Sequence, residues 1–380
     1  MKRSQTTRSY LVTALLLGFL TLLLIDPQSV IASGKKAVNL CINIIIPSLL
    51  PFFVISRLIL KTGAIHPISR FFRPVMRPLF NLPAQAAFPL VAGWLSGYPA
   101  GAKYTTDLYE GNFLSKKEAQ RLLAFCNNAS PLFIVGAIGT GYFNSPGLGL
   151  ILFFSHLSAS ISVGIVTGLL SRIKRSAQME EEKLSERYQM NTSIHMLTEA
   201  IMDSMKVLLQ ISGTIIFFAV LVQTLEIAGI FTALSRMIIR ILPGNEAFVE
   251  MIEIFIAGSL ELTYGLYLLS LSTPVPVFLK ILMTAFLCGF GGFSVHTQVT
   301  GLCPGDFNLR EFFTGKLAHG AIAAVYTGLF LANTSIPVMT NTPALYDMRP
   351  TKILLCIYIL ILLTGIICLV GQQANRIKNR

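Results

Sequence analysis

The chain has 380 residues, 53% of them hydrophobic and only 13% charged, with a formal net charge of +12 and a mean hydropathy of +0.66. Soluble domains carry about 25% charged residues, so the composition is that of an integral membrane protein and excludes an ordinary soluble domain. The positive excess then reports basic cytoplasmic loops and contact with anionic lipid, not nucleic acid, because no basic helix carries groove-reading polar residues.

Taken in chain order, the first element is "YLVTALLLGFLTLLLI" (10–25), after Lys2, Arg3 and Arg8. The following "DPQSVIAS" is a poor cleavage site for a signal peptide, so residues 1–35 are read as a retained first transmembrane helix. A first unit, 36–171, opens with a helix at about 38–60. Next, "GAIHPISRFFRPVMRPLF" (63–80) sets Arg70, Arg73 and Arg77 on one face of an amphipathic helix, the pattern of a helix resting on anionic headgroups. Then "AGWLSGYPAGAK" (92–103) interrupts an apolar stretch that begins at Ala86. Gly97, Pro99 and Gly101 stop a helix beside Ser96, Tyr98 and Lys103. Stranded backbone groups at such a stop are tolerated only where they are buried in protein or line a wet cavity. Two further helices, at about 119–142 and 148–171, close the unit, and "CNNASP" (126–131) breaks the first of them.

The polar stretch "SRIKRSAQMEEEKLSERYQMNTS" (171–193) has no apolar period. It is read as a cytoplasmic linker spanning 172–200. The second unit, 201–336, repeats the first at about 203–225, 229–242, 248–271, 278–300 and 312–335. Gly63 aligns with Gly229, and Ser69-Arg70 with Ser235-Arg236. Likewise "AGWLSGYPAG" (92–101) aligns with "AGSLELTYG" (257–265), and "AFCNNASPLF" (124–133) with "AFLCGFGGFS" (285–294). "SVGIVTGLL" (162–170) matches "IAAVYTGLF" (322–330), which keeps all four matches in one order. Residues 337–380 hold a last helix, 352–371, and a basic tail with Arg376, Lys378 and Arg380.

Charge sets the topology. If the interrupted segments turn back within the membrane, only Lys35, Lys36, Arg236, Arg240, Lys280, Arg349 and Lys352 lie outside. If they cross, Lys103, Lys116, Lys117, Arg121 and the linker's Arg172, Lys174 and Arg175 move outside, against the positive-inside rule. The expected fold is therefore all-α and integral to the membrane, with about eight transmembrane helices and both ends cytoplasmic. Two inverted repeats each contain a re-entrant hairpin and a broken helix. Paired broken helices in inverted repeats place a transporter's substrate site near the midplane.

Four stretches should converge there: the tips "SGYPAG" (96–101) and "ELTYG" (261–265), and the breaks "CNNASP" and "GFGGFSVHTQ" (289–298). N–H groups freed at half-helix N-termini suit carboxylates or phosphates. Asn127, Asn128, Ser130, Ser294, Thr297 and Gln298 add neutral donors, and Lys103 a cation. Glu261, opposite Ser96 in the repeat, gates, pairs with Lys103 or faces the outer mouth; Thr263 and Tyr98 complete the tips. His296, after the glycine break, is a ligand or a proton-dependent group. Against all of this stands the plainer reading, in which Gly and Pro merely kink packed helices. His156 and His319 are read as packing partners, and Glu226 and Glu253 as lying near the outer interface. The six cysteines (Cys41, Cys126, Cys288, Cys303, Cys356 and Cys368) show no CxxC pair and no nearby His at ligand spacing, so they read as apolar packing residues without a disulfide framework or metal site. No GxSxG, HExxH or Walker loop occurs, so neither an enzyme nor a cofactor is expected.

"IPSLLPFFVISRLI" (46–59), "RPVMRPLF" (73–80), "SGYPAGAK" (96–103) and "LSKKEAQRLLAFCNNASPLFIVGAIGTGYF" (114–143) resemble the YlbJ, or SpoVV, family of sporulation integral membrane proteins. The resemblance covers nearly the whole chain. It implies the nucleoside-recognition, or Gate-domain, group, whose fold looks like the concentrative nucleoside transporters. It also implies movement of dipicolinic acid, pyridine-2,6-dicarboxylate, across the outer forespore membrane. A flat aromatic dianion suits helix N-termini, amide donors and an aromatic such as Tyr98 or Tyr264. The alternatives are a nucleoside transporter and a non-transporting membrane scaffold in spore assembly. The expected partners are a small-molecule anion and membrane lipid; a homo-oligomer is left open.

Overall fold

The computed structural model describes residues 2–174, 194–240 and 245–332. Most of the 172–200 linker, the 336–351 segment, the 352–371 helix with its Cys356 and Cys368, and the basic tail lie outside the described residues. Every regular element among the described residues is helical.

α1 (Lys2–Leu23) and α2 (Pro27–Leu40) belong to a helix pair bent by 95°. Asp26 forces the corner: its carboxylate accepts from the Ser29 N–H at 3.1 Å, and Pro27 takes the first helical position, where no N–H is needed. The second expected helix therefore begins at Pro27, well before 38. It runs through a π turn (Cys41–Ile45) into α3 (Ile46–Lys61). Pro47 and Pro51 each lack the N–H that closes an α turn, and the wider π turn just before them absorbs the mismatch.

Gly63 and Gly229, aligned in the sequence, both adopt left-handed backbone, at φ 73° and 67°. Each opens a short helix: α4 (Ile65–Val75), continued by a π-helix (Met76–Phe80), and α10 (Ile230–Ile239). Arg70, Arg73 and Arg77 are exposed, while Ser69 and Met76 are buried, as an amphipathic face requires. The first unit continues with α5 (Ala87–Ser96), α6 (Ala100–Glu110), α7 (Lys116–Cys126), a π-helix (Leu132–Tyr142) and α8 (Pro146–Lys174). The second has α9 (Ile194–Ile227), α11 (Glu246–Leu260), α12 (Leu262–Leu271), α13 (Val277–Phe290), α14 (Gly292–Leu302) and α15 (Arg310–Ala332). Both units thus run in one order: long helix, short amphipathic helix, helix pair, broken helix, long helix.

Among the described residues four helices are long and apolar enough to cross a membrane: Pro146–Ile173, His195–Ile227, Val277–Leu302 and Arg310–Ala332; counting the bent N-terminal pair as one span would make five. The helix expected at 119–142 does not qualify, because residues 127–130 are non-helical between α7 and the π-helix. Leu150, Phe154, Leu169, Leu209 and Phe217 on α8 and α9 are exposed. Apolar side chains at that density on two long helices face lipid. α15 packs against α7, α8 and α13, and α9 against α2 and α3.

Candidate functional site

The interruption that stands out in the sequence is a fold-back. Gly97 takes φ +85°, which only glycine adopts easily, and the Tyr98–Pro99 peptide is cis. α5 and α6 return along each other so closely that a Cβ at Gly93 or Gly101 would lie 2.1 Å from the Cys126 carbonyl oxygen. The end of α7 is therefore pressed into the hairpin through two glycines. Gly97 meets Ser130, where an added Cβ would come within 3.0 Å of the serine Cβ. In the second unit α11 and α12 also fold back, with a Cβ at Gly265 only 2.1 Å from Gly258 Cα. Gly292 abuts the Gly258 carbonyl and the Leu262 N–H. Each hairpin break thus touches the helix break of its own unit. Tyr98 joins the two pairs, because its hydroxyl donates to the Cys288 carbonyl at the end of α13.

Four half-helix N-termini result, those of α6, the Leu132–Tyr142 π-helix, α12 and α14. Several expected site residues cap them. Asn127 Oδ1 accepts from the Ala102 N–H at 2.8 Å, Ser130 Oγ from Phe133 N–H at 3.3 Å, and the Glu261 carboxylate from Tyr264 N–H at 2.7 Å. The N-terminus of α14, which starts on left-handed Gly291, has no side-chain cap.

The other expected residues scatter. Lys103 does not face a tip: it is 6% exposed and pairs with Asp107 one turn along α6. Asp107 also meets Arg57 at 3.3 Å, and Arg57 meets Asp203 at 3.8 Å. The i,i+4 spacing on α6 explains why this lysine finds a carboxylate and not the tip. Asn128 is fully buried, its amide donating to the Phe125 carbonyl at 3.0 Å while Oδ1 has no hydrogen-bond partner. Ser96 lies at the end of α5, Thr263 is exposed on α12, and Ser294 is buried in the first turn of α14. His296 bonds the Phe290 carbonyl at 2.8 Å. Its ring lies among Phe290, Phe293, Phe312 and Phe313 at centroid distances of 4.6–5.8 Å.

A group that sequence reasoning missed lies where the breaks meet. Lys316, on α15, is 0% exposed. Its ammonium donates to the Asn127 carbonyl at 2.8 Å and to His319 Nδ1 at 3.1 Å, and stands 5.4 Å from the centre of the Tyr98 ring. An ammonium has no acceptor, so His319 must accept at Nδ1 and donate from Nε2 to the His156 carbonyl, 2.9 Å away. The two imidazoles lie 4.4 Å apart. His156 Nε2 accepts from the Ala129 N–H at 3.1 Å, which leaves its Nδ1 buried without a partner. His156 and His319 are packing residues as expected, but they pack around a cation. The available signal was a lone lysine in the otherwise uncharged run from Phe312 to Ala332.

A cavity of about 450 Å³ lies elsewhere, lined by Glu226, Glu246, Glu250 and Glu253 among others. Its sign is wrong for an anion. Glu226 is exposed and accepts from the Tyr264 hydroxyl. Among the described residues no cluster of His, Cys, Asp and Glu is placed to hold a metal ion, and Cys41, Cys126, Cys288 and Cys303 are free thiols. Chemically, the Lys316 region offers a buried cation with an N–H not spent on a hydrogen bond and the unpaired Nδ1 of His156, a combination that suits an anion.

A family model described as Gate, nucleoside recognition, matches residues 43–173, from the first π turn to the end of α8. The chain is 32% identical over 328 residues to the sporulation integral membrane protein YlbJ of Bacillus subtilis, covering 82% of this chain and 80% of that one. It is also 29% identical over 123 residues to an uncharacterized protein of Alkalihalophilus pseudofirmus, covering 32% of this chain and 26% of the relative. No solved structure matches.

Proposed function

Because the chain belongs to the family of the sporulation integral membrane protein YlbJ, we propose that it is a carrier, not an enzyme, that moves a small organic anion across the outer forespore membrane. Dipicolinate is the leading substrate. The observation that carries the reading is Lys316, a buried ammonium among the ends of broken helices. Ionisable groups in the apolar layer are expensive and mark substrate paths. An anion offers the opposite charge, and helix N-termini supply further partial positive charge without a side chain. In this reading the two units are inverted repeats, each with a re-entrant hairpin, among eight crossings with both ends cytoplasmic. Energetics agree with export of a dianion, since an inside-negative potential drives each charge outward by about 2.3 kcal/mol per 100 mV.

The Gate match supports a second reading, in which the substrate is a nucleoside. Purified protein in liposomes, offered dipicolinate and a nucleoside side by side, separates the two; a scaffold would move neither. Topology is tested by placing cysteines at exposed Asn144 and Asn308 in a cysteine-free background. They should label from opposite faces, Asn144 from outside and Asn308 from inside. Labelling of both from one face removes the inverted arrangement.

A further inference from the structure

Lys316 is the seventh residue of α15, about 9 Å along its axis. Glycines let it reach that depth. A Cβ at Gly315 would strike Ala124 at 2.6 Å, and one at Gly289 would lie 2.5 Å from Gly320 Cα, so α15 lies directly against α7 and α13. The groups around the ammonium include Tyr98, Cys126, Asn127, Cys288, His156, His319 and His296. Among the described residues it forms no ion pair with a carboxylate. The carbonyl end of α7, with a dipole equivalent to about half a unit charge, the His319 lone pair and the Tyr98 ring offset the charge in part. By contrast Lys280, which is also buried, sits at the end of α12 on the Ser272 carbonyl with Glu250 in its field.

An ammonium has three N–H groups, and Lys316 spends two of them on Asn127 and His319. The Tyr98 ring lies against the cation, and this residue forms the hinge of the α5–α6 hairpin. The ring face is a weak partner for a cation. A carboxylate oxygen would outcompete it, since charge-assisted hydrogen bonds are roughly twice as strong as neutral ones. His156 Nδ1, the other unspent donor, is in the same cluster.

We propose that Lys316 is the specificity-determining residue for a carboxylate on the substrate, with the Tyr98 ring as the placeholder that a carboxylate displaces. This rests on the transporter reading above and deepens it: what the protein selects is negative charge, and the selecting charge is on α15, outside all four breaks.

The test uses the full-length protein in liposomes with dipicolinate and the neutral pyridine-2,6-dicarboxamide as probes. Lys316→Gln should lower dipicolinate flux about ten- to a hundredfold, and Lys316→Arg, which keeps the charge, should retain most of it. In the wild-type protein the diamide should inhibit dipicolinate flux at least about tenfold more weakly than unlabelled dipicolinate does, corresponding to one decade in affinity. A purely structural lysine would shift stability without moving this charge preference. Dipicolinate flux in Lys316→Gln equal to wild type overturns the proposal, as does a diamide that competes as well as the diacid. If variants at 316 do not fold, a diamide that competes as well as the diacid in the wild-type protein still overturns the proposal. A wild-type protein that moves neither probe overturns the transporter reading itself, a result distinct from loss of charge selectivity.

Discussion

Two buried lysines, one in each unit, differ in what surrounds them. Lys103 on α6 has Asp107 one turn away, and Arg57 and Asp203 extend the pair into a network that ties α6 to α3 and α9. Lys316 on α15 has carbonyl and imidazole partners but no carboxylate among the described residues. A compensated charge fixes structure, and removing one partner strands the rest. An uncompensated charge costs stability continuously, and it persists where something that comes and goes supplies the opposite sign. The lysine expected to meet the anion was Lys103, which is buried and paired with Asp107; in the proposed carrier that role falls to Lys316.

Asp107→Asn would break the contrast most directly. It leaves Lys103 and Arg57 facing a neutral group in a site where the aspartate side chain is 2% exposed. The expected cost is about 3–5 kcal/mol, read as a fall in unfolding midpoint in detergent. A change below about 1 kcal/mol, within the range of exposed pairs, would mean that the network carries no structural load.

Next in size, Asn128→Ala should cut dipicolinate flux about ten- to a hundredfold, as loss of one amide to a charged ligand implies. Asn128 is buried beside the α7 break, and its amide spends one of two N–H groups on the Phe125 carbonyl, which leaves the second to donate to a carboxylate. Arg73→Ala, on the exposed face of α4, should leave flux within about twofold, since a lone surface charge is worth about 0–1 kcal/mol. Flux lost in Arg73→Ala and kept in Asn128→Ala would move the path away from the four breaks.

Lys316→Met sharpens the comparison from the other side. The substitution removes two hydrogen bonds but also the burial cost of an unpaired charge, so stability should change by less than about 2 kcal/mol. Thermal unfolding of the purified variant measures this. A loss as large as that of Asp107→Asn would make Lys316 a second structural charge.

The smallest effect belongs to a third lysine, at the surface. Lys116, the first residue of α7, donates to Asp306, before α15. That hydrogen bond holds the Asp306 carboxyl below its ordinary value. Because the folded-state value is depressed, the contribution is present above the unfolded-state pKa and is lost as pH falls through the folded one. Asp306→Asn should therefore flatten the acid limb of the unfolding profile slightly and leave neutral-pH flux unchanged. An unchanged acid limb would show that the pair carries no measurable stability.

The local features were legible in the sequence. The helix stops at Gly97 and Gly291, the left-handed glycines at 63 and 229, and the arginine face of α4 all follow from what one or two residues permit their own backbone. So does the Lys103–Asp107 pair, which its spacing on α6 already spells out. Pro131, read as a breaker, instead starts the π-helix after a stop at Cys126. Caps were half legible: Asn127, Ser130 and Glu261 sit at the breaks as expected, but their side chains serve backbone N–H groups. The corner at Asp26 moved a helix start by about a dozen residues because Pro27 initiates as well as interrupts. What only the tertiary structure decided is which charge is alone. Whether a lysine in an apolar helix reaches lipid headgroups, a carboxylate or a buried carbonyl depends on the helices packed against it. For Lys316 that packing is set by glycines at 289, 315 and 320, which bring α15 against α13 and against the much earlier α7. Composition determined that the chain enters a membrane, and local residues determined where its helices break. The position of the cation that faces those breaks was set by close helix contacts, which no local pattern encodes.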